Sequence, residues 1–295
     1  MFNVNGTLLS LDNTKGDISF ISHAHSDHVK RKVIKEVIAS EETLHISGIV
    51  GKKVALKEVE LFDAGHIVGA RQISIDLDGK RVGYTGDMRL KEGIFNEKAE
   101  IMDADEIYID GTYADPMFKF RDPFEVYDDI VKWVNLNKDK IIIFGAYPIG
   151  KTQELVKVFN ENGITPVLHA KNYEYTKRYI EVGVSLDAIR AGTEEASEVM
   201  KDGAVLIVPN NALNYKIKKG LSLVYGKDVL FAKATGWALK YNFNVDAVFP
   251  LSDHSDFYDI VEYIELSGAK RVHVMFTKNK EHVARYFEKK GIVVD

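Results

Sequence analysis

The chain has 295 residues, 45% of them hydrophobic, which is enough for one large domain or two moderate ones. It has no cysteine, which excludes disulfides, thiolate metal sites and a cysteine nucleophile, so any metal must be held by His, Asp and Glu. The net charge of −5 does not mark a nucleic-acid binder, although a local basic groove counts for more than the sum. No apolar run is long enough to span a bilayer. The opening Met1-Phe2-Asn3-Val4-Asn5 is strand-like and lacks a basic leader, so the expected location is cytoplasmic.

The first stretch is rich in strands. Residues 6–10 and 17–22 read as strands, and the second runs directly into His23-Ala24-His25-Ser26-Asp27-His28. Imidazole and carboxylate suit a borderline-soft divalent ion. Loop residues splay both ways, so His23 and His25 can reach one ion while Asp27 and His28 reach a second. A polar loop with incidental histidines is the bland alternative, but three of the nine histidines of the chain fall in these six positions. Val59–Phe62 is the next strand. It leads to Asp63-Ala64-Gly65-His66, where His66 can supply a third nitrogen to the first ion. Asp78-Gly79 marks a hairpin between Ile73–Leu77 and Lys80–Tyr84. Asp87 follows that hairpin and can bridge two ions with its two oxygens. Glu106–Asp110 is a further strand. Taken singly, His66 and Asp87 read more readily as satisfied loop residues; as strand-end residues that could converge with 23–28 they make a site.

After about residue 118 the pattern becomes alternating helix and strand. Asp122-Pro123-Phe124-Glu125 has the form of a helix start. That helix is expected to reach about Asn137. Ile141–Phe144 reads as a buried strand, 151–160 as a helix, and strand–helix units continue to about Leu230, which is the signature of a parallel α/β unit. From Val248 onward the order is strand, helix, strand, helix. The expectation is one domain, 1–117 and 238–295, interrupted by an α/β insertion over 118–237.

HAHSDH, His66 and Asp87 resemble, in order and context, the metal motifs of the metallo-β-lactamase superfamily. Asp12 resembles its first motif, a carboxylate that buttresses the metal loop, and is also explained as a plain turn residue. Ile109-Asp110-Gly111-Thr112-Tyr113, Phe144–Lys151, Ala234-Thr235-Gly236-Trp237 and Ser252-Asp253-His254-Ser255 resemble segments of the β-CASP nuclease branch, most of all the DNA cross-link-repair and Artemis-like nucleases. The resemblance covers nearly the whole chain. It implies an αββα metallo-β-lactamase sandwich carrying an inserted α/β β-CASP domain. It implies Zn²⁺ at a first site of His23, His25, His66 and Asp87. A weaker second site of Asp27, His28 and Asp87 would take Zn²⁺, Mg²⁺ or Mn²⁺. It also implies Asp27, Asp110 and His254 as catalytic residues, with His254 as general acid beside Asp110. Tyr147, Gly150, Lys151, Ser252 and Ser255 are its candidates for binding the substrate phosphate. Ser255 reads more readily as an N-cap than as a phosphate ligand.

RNA-cleaving relatives carry a His-Gly pair after the last core strand. Here Val272-His273-Val274-Met275 runs into Phe276-Thr277-Lys278, and that gap favours DNA. Gln153-Glu154 points instead to RNA. The expected function is a metal-dependent nuclease, first a DNA 5′ exonuclease acting in repair, with RNA processing as the alternative. A hydrolase of small acyl substrates and a non-catalytic nucleic-acid clamp are more distant readings. The basic runs Lys30-Arg31-Lys32, Lys216-Ile217-Lys218-Lys219 and Lys278-Asn279-Lys280 read as strand-path candidates or solvated faces.

Overall fold

A computed structural model describes residues 1–30 and 32–295; Arg31, in the first basic run, lies outside the described residues. The chain divides into two compact units, Met1–Lys119 with Asp253–Asp295, and Phe120–Ser252.

The first unit opens with β1 (Phe2–Val4), β2 (Thr7–Leu11), β3 (Ile18–Phe20), β4 (Val33–Ile38), helix α1 (Glu41–Ser47) and β5 (Val50–Lys53). These five strands form one sheet in chain order. Then come β6 (Val59–Asp63), β7 (Arg71–Leu77), β8 (Lys80–Tyr84) and β9 (Glu106–Asp110). The β7–β8 hairpin turns at Asp78 and Gly79, both at positive φ, and the Gly79 amide donates to Asp76 Oδ1 at 2.7 Å. That is the turn that an Asp-Gly pair favours.

The second unit contains α2 (Pro123–Leu136), β10 (Ile141–Ala146), α3 (Lys151–Glu161), β11 (Val167–Leu168), α4 (Ala170–Glu181), β12 (Ile189–Arg190), α5 (Glu194–Asp202), β13 (Ala204–Pro209), α6 (Tyr215–Tyr225), β14 (Val229–Ala234) and β15 (Ala247–Phe249). Its six strands pair in parallel in the order β12-β11-β13-β10-β14-β15. Every residue of β10 is buried, as expected of a central strand with both faces covered. Asp122 caps α2 by accepting from Phe124 N at 2.8 Å, and Pro123 occupies the first turn. The sequence placed the end of this unit at Trp237. The structure carries it to Ser252, because β15 pairs with β14 and so belongs to the same sheet.

The first unit resumes with α7 (Phe257–Ser267), β16 (Arg271–Met275), α8 (Lys280–Phe287) and β17 (Val293–Val294). Its second sheet runs β17-β16-β9-β8-β7-β6. The two sheets of this unit share a core of Val4, Leu9, Ile18, Phe20 and Ile38 from one and Ile73, Ile75 and Tyr84 from the other. Alternating apolar residues on facing strands produce that layer. Tyr263 of α7 is fully buried and its hydroxyl donates to Gln72 Oε1 of β7 at 2.7 Å, which pins the helix to the second sheet. β6 is antiparallel to β7 and β7 to β8, while β8, β9 and β16 are parallel. The carboxyl ends of β6, β8, β9 and β16 therefore lie along one edge.

Candidate metal centre

His23 follows β3, His66 follows β6, Asp87 follows β8, Asp110 ends β9, and His254 precedes α7. One donor atom from each of His23, His25, His66 and Asp87 lies within 4.8 Å of the others. His66 Nε2 is 3.2 Å from His25 Nδ1 and 3.7 Å from Asp87 Oδ2, and His23 Nε2 is 3.4 Å from the same oxygen. Two glycines permit this approach. A Cβ on Gly65 would stand 2.3 Å from Arg89 O, and one on Gly86 would stand 2.6 Å from Ser22 Cβ; both residues also lie at positive φ.

The ring nitrogens away from the cluster are anchored. Ser22 Oγ lies 2.9 Å from His23 Nδ1, and His66 Nδ1 donates to Asp253 O at 2.7 Å. Such contacts fix ring orientation and aim the other nitrogen inward. His23 Nε2 is buried and has no hydrogen-bond partner. An orphaned buried nitrogen is costly unless something occupies its lone pair. Burial first, and then neighbouring histidines, hold the pKa of His23 well below its ordinary value, and burial with His254 does the same for His66. Both rings are thereby neutral, the form a cation needs. The donor set, three imidazoles and a carboxylate, fits zinc.

The other oxygen of Asp87 faces His28, with Oδ1 at 3.4 Å from His28 Nε2; Asp27 Oδ2 is 3.9 Å from that nitrogen. Two carboxylates thus stand within 4 Å of one nitrogen of His28. Asp27 is 77% exposed, so this side opens to solvent. Asp12 stands behind His28. Its Oδ2 accepts from His28 Nδ1 at 2.6 Å, Tyr84 OH at 2.7 Å and Ser22 Oγ at 2.7 Å, and its Oδ1 accepts from Ser22 N at 2.8 Å. Asp12 is a buttress as well as a turn residue, at φ 45. Burial disfavours charge on His28, but the Asp12 hydrogen bond and the charges of Asp12, Asp87 and Asp27 overcome it and raise the pKa to about 9. Burial and the charges of Asp110 and Asp12 push Asp87 to about 7, against the pull of His254 and His28.

His254 Nδ1 donates to Asp110 Oδ2 at 2.7 Å, and its Nε2 lies 4.0 Å from Asp87 Oδ2. Asp110 Oδ1 accepts from Thr112 N at 2.9 Å and Thr112 Oγ1 at 2.7 Å. Burial opposes charge on His254, yet Asp110 and Asp87 raise its pKa to about 10. Asp110 stays low despite its burial, through His254 and Thr112.

The remaining predicted residues lie as follows. Ser255 does not cap α7. Its amide donates to Met88 O at 2.8 Å and its Oγ accepts from Leu90 N at 2.9 Å. The cap is Asp256, which accepts from Tyr258 N and Asp259 N; Lys91 pairs with Asp256 at 2.9 Å and Asp259 at 2.7 Å. In the second unit, Tyr147 is 65% exposed, whereas Lys151 is 3% exposed and pairs with Glu154, which also accepts from Tyr127 OH at 2.6 Å. The Gly150 amide donates to Gln153 Oε1 at 2.8 Å, and Thr152 N to Tyr147 O at 3.2 Å. Two amides at the start of α3 are thus used internally, and Lys151 serves a buried ion pair. Ser252 is buried. His273 pairs with Glu106 at 2.7 Å and stacks on Tyr108, on the sheet rather than in the cluster. Phe276, the first residue of the segment that lacks the His-Gly pair, stands next to His28. It lies at φ 59, is 52% exposed, and its ring is 5.4 Å from that of His28.

These parts define an α/β protein with a histidine–carboxylate cluster at a strand edge that could hold a metal ion. No family model matches the chain. It is 26% identical over 279 residues, 86% of its length, to a protein of Opitutus terrae named "Probable DNA ligase", but spans only 26% of that relative. A protein of Acidianus ambivalens, "Uncharacterized protein in lig 3'region", is 33% identical over 142 residues, 45% of this chain and 96% of that one. The DNA cross-link repair protein SNM1 of Arabidopsis thaliana is 24% identical, over 70% of this chain and 46% of its own. An RNase J-like protein of Methanocaldococcus jannaschii is 24% identical over 52% of this chain and 46% of its own. A crystal structure of a protein of unknown function from Enterococcus faecalis superposes with a TM-score of 0.60 at 16% identity, over 90% of this chain and 76% of that one, so it shares the fold. The chain belongs to the metallo-β-lactamase superfamily, in its β-CASP nuclease branch.

Proposed function

We propose that this chain is a metal-dependent nuclease, an αββα metallo-β-lactamase sandwich with a β-CASP insertion, that hydrolyses DNA from a 5′ end in repair and leaves a 5′ phosphate. The observation that carries this is the cluster of His23, His25, His66 and Asp87, with His28 facing the other Asp87 oxygen, beside the Asp110–His254 pair. His23, His25, His66 and Asp87 hold the first ion, taken as Zn²⁺. Asp27, His28 and Asp87 hold the second, Zn²⁺, Mg²⁺ or Mn²⁺. Bound ions supply positive charge at the phosphate and lower the pKa of water towards about 7. Asp27, open to solvent, orients the attacking water and accepts its proton. The P–O3′ bond breaks, and His254, protonated at neutral pH with its pKa at about 10, gives the Nε2 proton to the departing oxygen. Asp110 holds the ring by Nδ1.

Two relatives favour DNA over RNA. The match to the Opitutus terrae protein covers 86% of this chain but 26% of that one, and its name is that of a ligase. SNM1 is named for DNA cross-link repair. RNA is the second reading, favoured by the RNase J-like relative. Among the described residues no helix is long and apolar enough to cross a membrane.

The test is cleavage of end-labelled 5′-phosphorylated and 5′-hydroxyl DNA and RNA, beside a chromogenic acyl ester, by metal-loaded protein. The expected result is DNA cleavage that His25→Ala and Asp87→Asn abolish without a change in circular dichroism. Hydrolysis of the ester alone, or full cleavage by both variants after chelation, would overturn it.

A further inference from the structure

The second unit contains a cavity of about 430 Å³ lined by Tyr147, Asn210, Lys233, Trp237, Tyr241 and Phe243 among its residues. Tyr147 follows β10, Asn210 follows β13, and Lys233 and Trp237 lie at and after the end of β14. These three strands are parallel neighbours, so the cavity opens at the carboxyl edge of the sheet. The chain leaves β10 through α3 towards β11 on one side and leaves β14 towards β15 on the other. Adjacent strands whose continuations diverge leave a crevice between their loops, and parallel α/β sheets bind ligands there.

The lining says what the crevice suits. Four of its side chains are aromatic, and Trp237 and Tyr241 pack on each other with ring centroids 5.8 Å apart and planes tilted by 41°. Lys233 is its cation, held 4.8 Å above the Phe243 ring, and no carboxylate lines it. In a chain with 44 acidic residues and a net charge of −5, an aromatic pocket with a lysine and no acid is matched to a planar anion. Asn210 adds both a donor and an acceptor amide group. The volume lies in the range of small-ligand sites, about 300–1,000 Å³.

We propose that this pocket binds one nucleotide unit, with the base stacked on Trp237 and the phosphate on Lys233. This goes beyond the nuclease reading, since every residue involved belongs to the second unit and none to the metal centre. Stacking of a base on an aromatic side chain is worth about 1–3 kcal/mol, so its loss weakens binding about tenfold or more.

Mononucleotides have no diester bond, so binding can be read on the intact chain without turnover. Thymidine 5′-monophosphate, thymidine and inorganic phosphate are titrated by equilibrium dialysis and by tryptophan fluorescence. The expected result is that the monophosphate binds and quenches Trp237. Trp237→Ala should weaken it about tenfold. Lys233→Ala should reduce monophosphate affinity to that of thymidine and leave thymidine unchanged. Asp87→Asn should bind as the parent does. No binding at millimolar ligand, equal binding by the parent and a folded Lys233→Ala protein, or loss of binding in Asp87→Asn would each overturn the proposal. Should Trp237→Ala not fold, Lys233→Ala decides. Cleavage of end-labelled DNA by the same preparations separates the two readings. Active protein that binds no monophosphate sinks the pocket alone, and inactive protein that binds it sinks only the nuclease.

Discussion

The two ions should answer differently to pH, because different protons must leave to admit them. For the first, His23 and His66 are already neutral, and the proton that competes is that of Asp87, with a pKa of about 7. Affinity for this ion should be level above pH 8 and fall about tenfold per unit below pH 7, reaching about 100-fold at pH 5. For the second, His28 must shed a proton held up to about 9 by Asp12 and its acidic neighbours. At pH 7 about one His28 in 100 is free of that proton, so affinity should rise about 100-fold between pH 7 and full deprotonation. The charge of the first ion lowers the His28 pKa, which makes about 100-fold the upper limit. The assay is calorimetric titration of chelator-treated protein with Zn²⁺ and Mn²⁺ from pH 5 to 9, with proton release measured in buffers of different ionisation enthalpy. Two ions with the same pH dependence, or a second ion whose affinity is flat between pH 7 and 9, would refute the reasoning.

Asp12→Asn removes the charge that holds His28 and should weaken the second ion by about 10–100-fold, read by the same titration. In metal-free protein it should also cost stability with a definite pH signature. A histidine whose folded pKa is raised from 6.5 to about 9 stabilises the fold fully below 6.5 and loses that contribution as pH rises through 9. The cost in urea unfolding should thus be at most about 3 kcal/mol at pH 6, shrink as pH rises from 6.5 and be nearly gone at pH 9. Asp110→Asn should shift the alkaline fall of the cleavage rate downward from about pH 10 by a unit or more, because His254 must be protonated to act and loses its main stabilising charge; an unshifted limb would remove His254 as the acid. Phe276→Gly should raise thermal stability by about 1 kcal/mol by relieving a bulky residue at φ 59, whereas Phe276→His should tighten the second ion; no change in either measurement would show the position to be passive.

Residues whose meaning lies in local pattern were legible in the sequence. Asp78-Gly79 forced a turn, Asp122-Pro123 started a helix, and an apolar strand running into HAHSDH announced donors at a strand end. Asp12 was ambiguous, because a single carboxylate in a turn looks the same whether it faces water or four donors. What settles it is that Ser22, His28 and Tyr84, ten to seventy-two positions away, all donate to it. The border at residue 237 was misplaced for a similar reason. Thr235-Gly236-Trp237 reads as an ending, and nothing short-range in Ala247–Phe249 reveals that it pairs with β14.

Gln153-Glu154 and Lys151 show where a local pattern misleads. A glycine–lysine turn at a helix start presents amides and a charge, which is an anion site if both are free. Here Gln153 takes the Gly150 amide by Oε1 and reaches Thr176 by Nε2, at 2.8 and 2.9 Å. Glu154 neutralises Lys151 and accepts from Tyr127, so a lysine 3% exposed has its charge matched inside the unit. Breaking a buried pair of this kind costs about 3–5 kcal/mol, which is reason enough for the sequence to keep Lys151, Gln153 and Glu154 together without any nucleic acid. The Gln-Glu pair therefore loses its weight as a sign of RNA. The proposal of DNA then keeps, beside the two relatives, the loop after β16, where Phe276 rather than a histidine stands beside His28 and would leave a second ion to Asp27, His28 and Asp87.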